Sequence, residues 1–470
     1  MQSKTNYTAL ITLISVFFFW GFVAASNTVL IGLFKKSFTL TQFQSQLVDL
    51  AFYAAYFIGS LFYFLVSYSL GDPLNKIGYK KGLITGLLIS AIGAMGFIPA
   101  ANMHSFILML TSLFVVGLGF ALQQIVANPY IIALGSPETG SHRINLAGGI
   151  NSFGTTIGPL LVSFTIFGNI SGENPVSMGV EGVKLPYAIL SFAFILFALL
   201  LGILKLPAVT SNEVLEKNMG ALKYPQLLLG MLAIFIYVGV EVSIQSNLPA
   251  LMENAKILGL PHTQTVHFIS LYWGSLMIGR WAGAISAFSL SKQTKMILTT
   301  IMPLMAYSVI LLVNYIKGSP LTDLLFYFPF VLILIAGFYL SAQKPAKTMM
   351  LFGSIATLLM LTGLFSSGKI ALYAFISGGL FCSVMWPCIF SLSLAGLGKY
   401  TNQASSLLIM MILGGAILPP LQGIVADNTS IHLSYIIPVV CFIYLAFYGW
   451  KVRSILKQQG INYDDRVESH

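Results

Sequence analysis

Three charged side chains lie within long apolar runs of this sequence and are the residues best placed to do chemistry. Asp49, Glu241 and Arg280 each fall inside a stretch of mostly apolar residues that is about twenty residues long, the length of a membrane-spanning helix. A charge at the middle of a bilayer costs about 2.5–3.5 kcal/mol on insertion scales, so it needs a partner or a purpose. Because Glu241 has no cation beside it in the sequence and could exchange a proton, Asp49 and Glu241 are the candidates for ion coupling.

Asp49 has oxygen-bearing residues at a matching depth. At 1.5 Å per residue, Asp49 and Thr28 each lie about 10 Å from the same predicted end of their helices. The oxygens of Ser26, Asn27 and Thr28 could complete a Na⁺ site around the Asp49 carboxylate, and a proton on Asp49 is the alternative. A purely structural contact of Asp49 with a helix end or headgroups also stays open. The sequence has no His or Cys set at metal-binding spacing and no nucleotide-binding loop, so we expect no cofactor and no other metal.

Amide and indole side chains in other apolar runs have the chemistry of sugar contacts. An amide can donate to one hydroxyl and accept from its neighbour, and an aromatic ring can pack on the C–H face of a pyranose. The alternative is that these residues bridge helices, because polar contacts stabilise membrane helix pairs by about 0.6 kcal/mol on average. The candidate substrate-binding residues are Asn27, Gln124, Asn151, Gln245, Trp273 and Trp386.

Three further residues are assigned a structural role. Arg280 is expected toward the cytoplasmic end of its helix, where it would donate to loop or helix-end carbonyl groups. Pro129 removes a backbone N–H, and Asn128 beside it is expected to satisfy the backbone group that is freed.

The composition defines the elements that must hold these residues. Of 470 residues, 57% are hydrophobic and only 8% are charged, whereas a soluble domain carries roughly 25% charged residues. This excludes a soluble enzyme, a nucleic-acid binder and a disordered chain, and the net charge of +10 is typical of Lys- and Arg-rich cytoplasmic loops. The apolar runs are too long and unbroken for a β-barrel, so the fold class is an all-α polytopic membrane protein.

Fourteen apolar runs are long enough to cross a bilayer. When both termini are placed in the cytoplasm and the runs alternate, most Lys and Arg residues fall on the cytoplasmic side. The predicted spans are residues 8–34, 43–70, 83–101, 105–130, 144–167, 186–204, 226–250, 265–289, 295–316, 323–341, 347–365, 370–395, 404–426 and 433–452.

The two halves of the sequence echo each other. Asn128–Pro129 in the fourth span corresponds to Trp386–Pro387 in the twelfth, and the next span in each half carries a Gly and then a Pro five residues later. Duplicated halves are typical of transporters whose binding site lies at the midplane of the bilayer. The simpler explanation is that Gly and Pro are frequent in membrane helices.

Specific short stretches are spread along the chain, at residues 18–22, 38–41, 51–53, 77–82, 127–129, 151–154, 237–241, 278–280, 386–387, 396–401 and 419–423. Together they resemble the major facilitator superfamily, and within it the branch of fucose permeases and glucose/galactose permeases. The resemblance covers spans one to nine and twelve to fourteen. It implies two six-helix bundles, monosaccharide uptake that is usually coupled to H⁺ and sometimes to Na⁺, and sugar contacts at Asn27, Gln124 and Asn151.

The sequence departs from this family in three places. The acid that fucose permeases carry in the first span is Thr28 here, and the acid of the fourth span is Gln124. The spans at 323–341 and 347–365 are two extra helices inserted in the C-terminal half. The missing acids leave Asp49 and Glu241 to carry an ion, and Asp49 is favoured because it lies at the depth where the first span has lost its acid.

These patterns predict the domain organisation. We expect an N-terminal six-helix bundle over residues 1–204, a cytoplasmic loop over 205–225, a C-terminal bundle over 226–452 that includes the extra helices at about 323–365, and a cytoplasmic tail over 453–470. The predicted protein is a monomer in the lipid bilayer of the bacterial inner (plasma) membrane, with no nucleic-acid partner.

The favoured function is secondary active import of a monosaccharide, such as glucose, galactose or a fucose-like sugar, by alternating access coupled to H⁺ or Na⁺. The alternatives are an uncoupled sugar facilitator, a transporter of another small polar solute and a membrane-embedded enzyme. The sequence contains no clustered acids for a metal–diphosphate substrate, so we expect no enzymatic activity.

Overall fold

The computed structural model describes residues 7–40, 42–136, 139–167, 179–207, 219–260, 265–288, 290–316 and 320–461. The regular elements of these residues are all helical, and short 3₁₀ turns join several of the α-helices. The α-helices are α1 (Tyr7–Ser37), α2 (Gln42–Leu70), α3 (Pro73–Ile77), α4 (Tyr79–Met95), α5 (Phe97–Asn102), α6 (Phe106–Ala133), α7 (Gly140–Phe167), α8 (Lys184–Ile203), α9 (Pro225–Glu253), α10 (Val266–Ala284), α11 (Lys292–Ile316), α12 (Leu321–Leu325), α13 (Phe328–Ser341), α14 (Pro345–Phe365), α15 (Gly368–Cys382), α16 (Met385–Leu394), α17 (Thr401–Met410), α18 (Gly414–Asn428) and α19 (Ile436–Gln458).

Among the described residues, twelve helices are long and apolar enough to cross a membrane. The predicted count of fourteen spans is therefore not supported, although all fourteen apolar runs coincide with helices. The two helices outside the twelve are α7, several of whose side chains lie outside the described part, and α10, whose apolar face is interrupted by His267 and Arg280. The predicted extra helices at 323–341 and 347–365 both belong to the twelve.

The predicted C-terminal tail and the predicted central loop can be compared with the structure only in part. The predicted tail at 453–470 begins inside a helix, because α19 continues to Gln458. Residues 462–470 of that tail and residues 208–218 of the predicted 205–225 loop lie outside the described residues.

The chain forms two compact units, each of which takes in a short segment from the other half of the sequence. Unit 1 comprises Met1–Gly135, Phe153–Lys223 and Leu397–Leu413. Unit 2 comprises Ser136–Ser152, Tyr224–Gly396 and Gly414–His470.

Small residues let the helices of unit 1 approach closely. A Cβ added at Gly93 of α4 would lie 2.5 Å from the Val116 backbone nitrogen of α6. A Cβ at Gly119 of α6 would lie 2.5 Å from the Gly86 carbonyl oxygen of α4. Backbone contact of this kind is how membrane helices gain packing energy where no hydrophobic effect drives them together.

A proline inside a helix leaves a carbonyl group that another helix satisfies. Pro129 in α6 has no N–H to offer the Ile125 carbonyl one turn earlier, and Ser405 Oγ of α17 donates to that oxygen at 3.0 Å, within unit 1. Pro129 therefore creates a docking point for a side chain from elsewhere in the sequence.

Candidate functional site

In unit 1, the predicted coupling residue and a predicted sugar contact are neighbours. Asn27 of α1 is a side-chain hydrogen-bond partner of Asp49 of α2. Asn27 is 1% exposed, and among the described residues no donor lies within hydrogen-bond distance of its Oδ1 atom. Helices α1 and α2 therefore contact each other at Asp49. The side chain of Thr28, the third proposed oxygen donor, lies outside the described part of the chain.

The same face of α2 also carries a partner for Gln124. Tyr56 follows Asp49 by seven residues, so the two side chains project from one face about 10 Å apart along the axis. Gln124 of α6 donates through Nε2 to the Tyr56 hydroxyl at 3.1 Å. Asp49 and Tyr56 thus connect Asn27 on one side with Gln124 on the other, and they form a polar row inside unit 1.

The neighbouring amides of α6 have roles that are mainly structural. Gln123 is fully buried, accepts from Trp20 Nε1 at 3.0 Å and donates to Ser90 Oγ at 3.0 Å, so its side chain bridges three helices. Asn128 donates to the Gln124 backbone carbonyl at 2.9 Å, one turn earlier. Asn128 thus bonds a backbone carbonyl, but the carbonyl freed by Pro129 is that of Ile125, which Ser405 satisfies instead.

In unit 2, the predicted lone carboxylate has a cation beside it. Glu241 Oε1 of α9 lies 3.5 Å from Arg280 Nη2 of α10, and both side chains are 12% exposed. The expectation that Glu241 has no cation nearby is wrong. The reason is the hairpin between α9 and α10: Glu241 lies about 18 Å from the end of α9 and Arg280 about 21 Å from the start of α10, so the two residues sit at similar depth.

Arg280 makes the carbonyl contact that was expected of it, and one more. It lies near the C-terminal end of α10, and its Nε donates at 3.3 Å to the Ser383 carbonyl between α15 and α16. Its Nη1 donates to Ser152 Oγ of α7 at 2.8 Å. One guanidinium therefore joins three elements of unit 2 as well as pairing with Glu241.

Aromatic side chains surround this charge pair. Trp386 stacks on Phe390 with ring centroids 5.8 Å apart and lies 6.2 Å from the ring of Tyr237, which sits one turn before Glu241 on α9. Tyr272 donates to the Glu241 backbone carbonyl at 2.6 Å. The predicted indole contact at Trp386 is thus half-buried beside the charge pair.

The remaining predicted contacts lie on the same helices of unit 2. Trp273 is half-buried on α10 with its ring centroid 5.9 Å from that of Tyr272. Gln245 is half-buried one turn after Glu241 on α9, and Asn151 is half-buried on α7 beside Ser152. The structure therefore divides the predicted binding and coupling residues between the units, with Asn27, Asp49 and Gln124 in unit 1 and the others in unit 2.

The structure also contains a buried carboxylate, Asp72, that is not among the predicted site residues. Asp72 caps α3 by accepting from the Leu74 backbone N–H at 2.9 Å, and it also accepts from Tyr63 Oη at 2.5 Å and Asn402 Nδ2 at 2.6 Å. Tyr79 Oη donates in turn to Asn402 Oδ1 at 2.6 Å. The Asp-Pro dipeptide at the helix start could have revealed the cap. It could not have revealed the burial, because Asn402 lies 330 positions along the chain.

These features define a multi-pass helical membrane protein with amides, indoles and paired charges held inside its helices, which is the chemistry of a transporter for a polar solute. The model of the Major Facilitator Superfamily matches residues 9–346. The chain belongs to this superfamily.

The relatives and structural neighbours agree with that assignment. The chain is 35% identical over 452 residues to a protein named glucose/galactose transporter from Brucella abortus biovar 1 (strain 9-941), covering 95% of each chain. It is 28% identical to the L-fucose-proton symporter of Escherichia coli (strain K12), covering 94% of this chain and 92% of the relative. A crystal structure of the superfamily transporter FucP in the outward conformation superposes with a TM-score of 0.71 at 27% identity, covering 94% of this chain and 98% of that one.

Proposed function

We propose that this protein imports a monosaccharide by alternating access and couples that import to protons. The relatives named for glucose/galactose transport and for fucose-proton symport supply the substrate class and the ion. The observation that carries the proposal is Asn27, a buried amide whose oxygen has no donor among the described residues. A buried acceptor without a partner is costly, and a sugar hydroxyl would satisfy it.

The polar row of unit 1 supplies the sugar contacts we propose there. Asn27 offers the free oxygen, and Gln124 holds its amide group in place through the Tyr56 hydroxyl. In unit 2, Trp386 and Trp273 offer half-buried ring faces, and Gln245 and Asn151 offer amides. Polar groups that fix orientation, together with aromatic surface, are what small-molecule sites generally provide.

We place proton coupling on Asp49 rather than on Glu241. Glu241 is paired with Arg280, and the pair holds its charge in place. Asp49 has an amide as its partner, so it can lose or gain a proton without stranding a buried cation. We further propose that the protein is a monomer of the bacterial inner membrane with both termini in the cytoplasm, and that residues 1–204 and 226–452 act as its two moving bundles.

Counterflow in proteoliposomes tests the substrate class without requiring an ion gradient. Vesicles that contain the purified protein are loaded with an unlabelled sugar and diluted into trace amounts of labelled D-glucose, D-galactose or L-fucose. We expect transient accumulation of at least one of these labels, and competition by unlabelled monosaccharides but not by a disaccharide. Protein-free vesicles are the control. If none of the labels exchanges, monosaccharide transport is excluded.

A further inference from the structure

Helix α7 and helix α10 meet along a regular seam within unit 2. The residues of α7 that face α10 follow the spacing of one helix face, at positions i, i+3, i+4 and i+7. A Cβ added at Gly148 would lie 3.3 Å from Arg280 Cδ, and one at Gly149 would lie 3.1 Å from Trp281 Cδ1. The two glycines therefore let the α7 backbone come close enough for Arg280 to reach Ser152. The facing residues of α7 are Asn145, Gly148, Gly149 and Ser152.

On the side of the seam opposite α7, Arg280 has two further partners. Glu241 of α9 supplies its countercharge at 3.5 Å. The Ser383 carbonyl, which lies between α15 and α16, supplies an acceptor at 3.3 Å. With these two partners the planar guanidinium has a set orientation, and its remaining Nη1 group points at Ser152.

The contact at Ser152 has a consequence for its neighbour. Ser152 is 2% exposed and adjoins Asn151, the amide that we propose as a sugar contact on α7. A helix held at one residue fixes the rotation of the next, because successive side chains are about 100° apart around a helix of 3.6 residues per turn. The hydrogen bond to Ser152 thus determines where the Asn151 amide points.

We infer that Arg280 is a positioning residue: held by Glu241 and the Ser383 carbonyl, it fixes Ser152 and thereby orients Asn151 toward the monosaccharide. This inference rests on the proposed function, since it assigns a task to the same site. Glu241 serves as the countercharge that keeps Arg280 in place. Its charged and titratable neighbours are Arg280, Tyr237, Tyr272 and Cys382.

The test is a double-mutant cycle of Ser152→Ala and Glu241→Gln, measured by equilibrium exchange of labelled sugar. Loss of a hydrogen bond from a charged group is expected to raise the KM for sugar about tenfold in Ser152→Ala, with the maximal exchange rate little changed. In the Glu241→Gln background the same substitution should change KM less than about twofold, because Arg280 is no longer held. The dependence of exchange on pH should keep its shape in both single variants.

A matched control variant and a measurement that needs no sugar distinguish a failure of this inference from a failure of the proposed function. Ser377→Ala removes a buried hydroxyl that donates to the Ala374 carbonyl of its own helix, and it should leave KM unchanged. The cycle is repeated on the melting temperature in detergent, where the two substitutions should again be non-additive. Independent, additive effects in both measurements would overturn the inference. If the wild type exchanges no monosaccharide, the proposed function fails, and the melting-temperature cycle alone decides whether Arg280 links Glu241 to Ser152.

Discussion

At the scale of single residues, the adjacent amides Gln123 and Gln124 of α6 differ in burial and in hydrogen-bond partners. Gln123 has both ends of its amide bonded to other helices, whereas Gln124 donates to Tyr56 and is half-buried. A fully satisfied amide stabilises the bundle, and a partly satisfied one has capacity left for a ligand. We therefore expect Gln123 to serve stability and Gln124 to serve sugar recognition.

This difference predicts opposite outcomes for two adjacent substitutions. Gln124→Ala should weaken sugar affinity by about 0.5–1.5 kcal/mol, roughly 2- to 12-fold, with normal amounts of protein in the membrane. Gln123→Ala should leave the Trp20 indole N–H without its acceptor, while Ser90 keeps its bond to the Val116 carbonyl, and should lower stability by about 1–3 kcal/mol. Sugar exchange and melting temperature are measured for both variants. Asn151→Ala should behave like Gln124→Ala.

Asp49, the carboxylate that we propose for proton coupling, gives a second prediction at this scale. Asp49→Asn should abolish gradient-driven accumulation of sugar, because the side chain can no longer bind and release a proton, while exchange at equilibrium survives. Asp427→Asn, at an exposed position of α18, is the control and should accumulate normally. Full accumulation by Asp49→Asn would remove Asp49 from the coupling mechanism.

At the scale of helices, prolines determine which elements depend on each other. Ser405→Ala should destabilise the protein by about 1–3 kcal/mol, because the Ile125 carbonyl then has no donor. Adding Pro129→Ala to Ser405→Ala should restore most of that loss, since residue 129 then supplies its own helical N–H. Melting temperatures of the two single variants and the double variant test this. Additive losses would mean that Ser405 does not serve the carbonyl freed by Pro129.

The helices themselves could be predicted from sequence more completely than their contacts. The apolar runs predicted a helix at each of fourteen positions, and a helix is present at each. Only twelve of them are apolar enough to count as membrane spans, and polar residues such as His267 and Arg280 in α10 lower the mean hydropathy of a helix. The pairing of Glu241 with Arg280 and the burial of Asp72 by Asn402 join residues that are far apart in sequence. Periodicity and composition are local signals, so they give no access to such partners.

At the scale of the whole molecule, the turn between α13 and α14 tests the topology. An even number of the twelve spans precedes this turn, so alternation returns it to the side of the N-terminus, which we propose to be cytoplasmic. Lys344→Cys should therefore react in whole cells with membrane-permeant thiol reagents and resist impermeant ones. The native Cys382, Cys388 and Cys441 are buried and should contribute little background. Labelling by the impermeant reagent would contradict this orientation.

The central claim is that the whole molecule uses a proton gradient to concentrate a monosaccharide. The most direct measurement is uptake of labelled glucose, galactose and fucose into proteoliposomes with an imposed inward proton gradient, compared with a Na⁺ gradient and with none. The account predicts accumulation above the external concentration under the proton gradient and its collapse when a protonophore is added. Entry of sugar that only equilibrates under every gradient, or no entry at all, would contradict it.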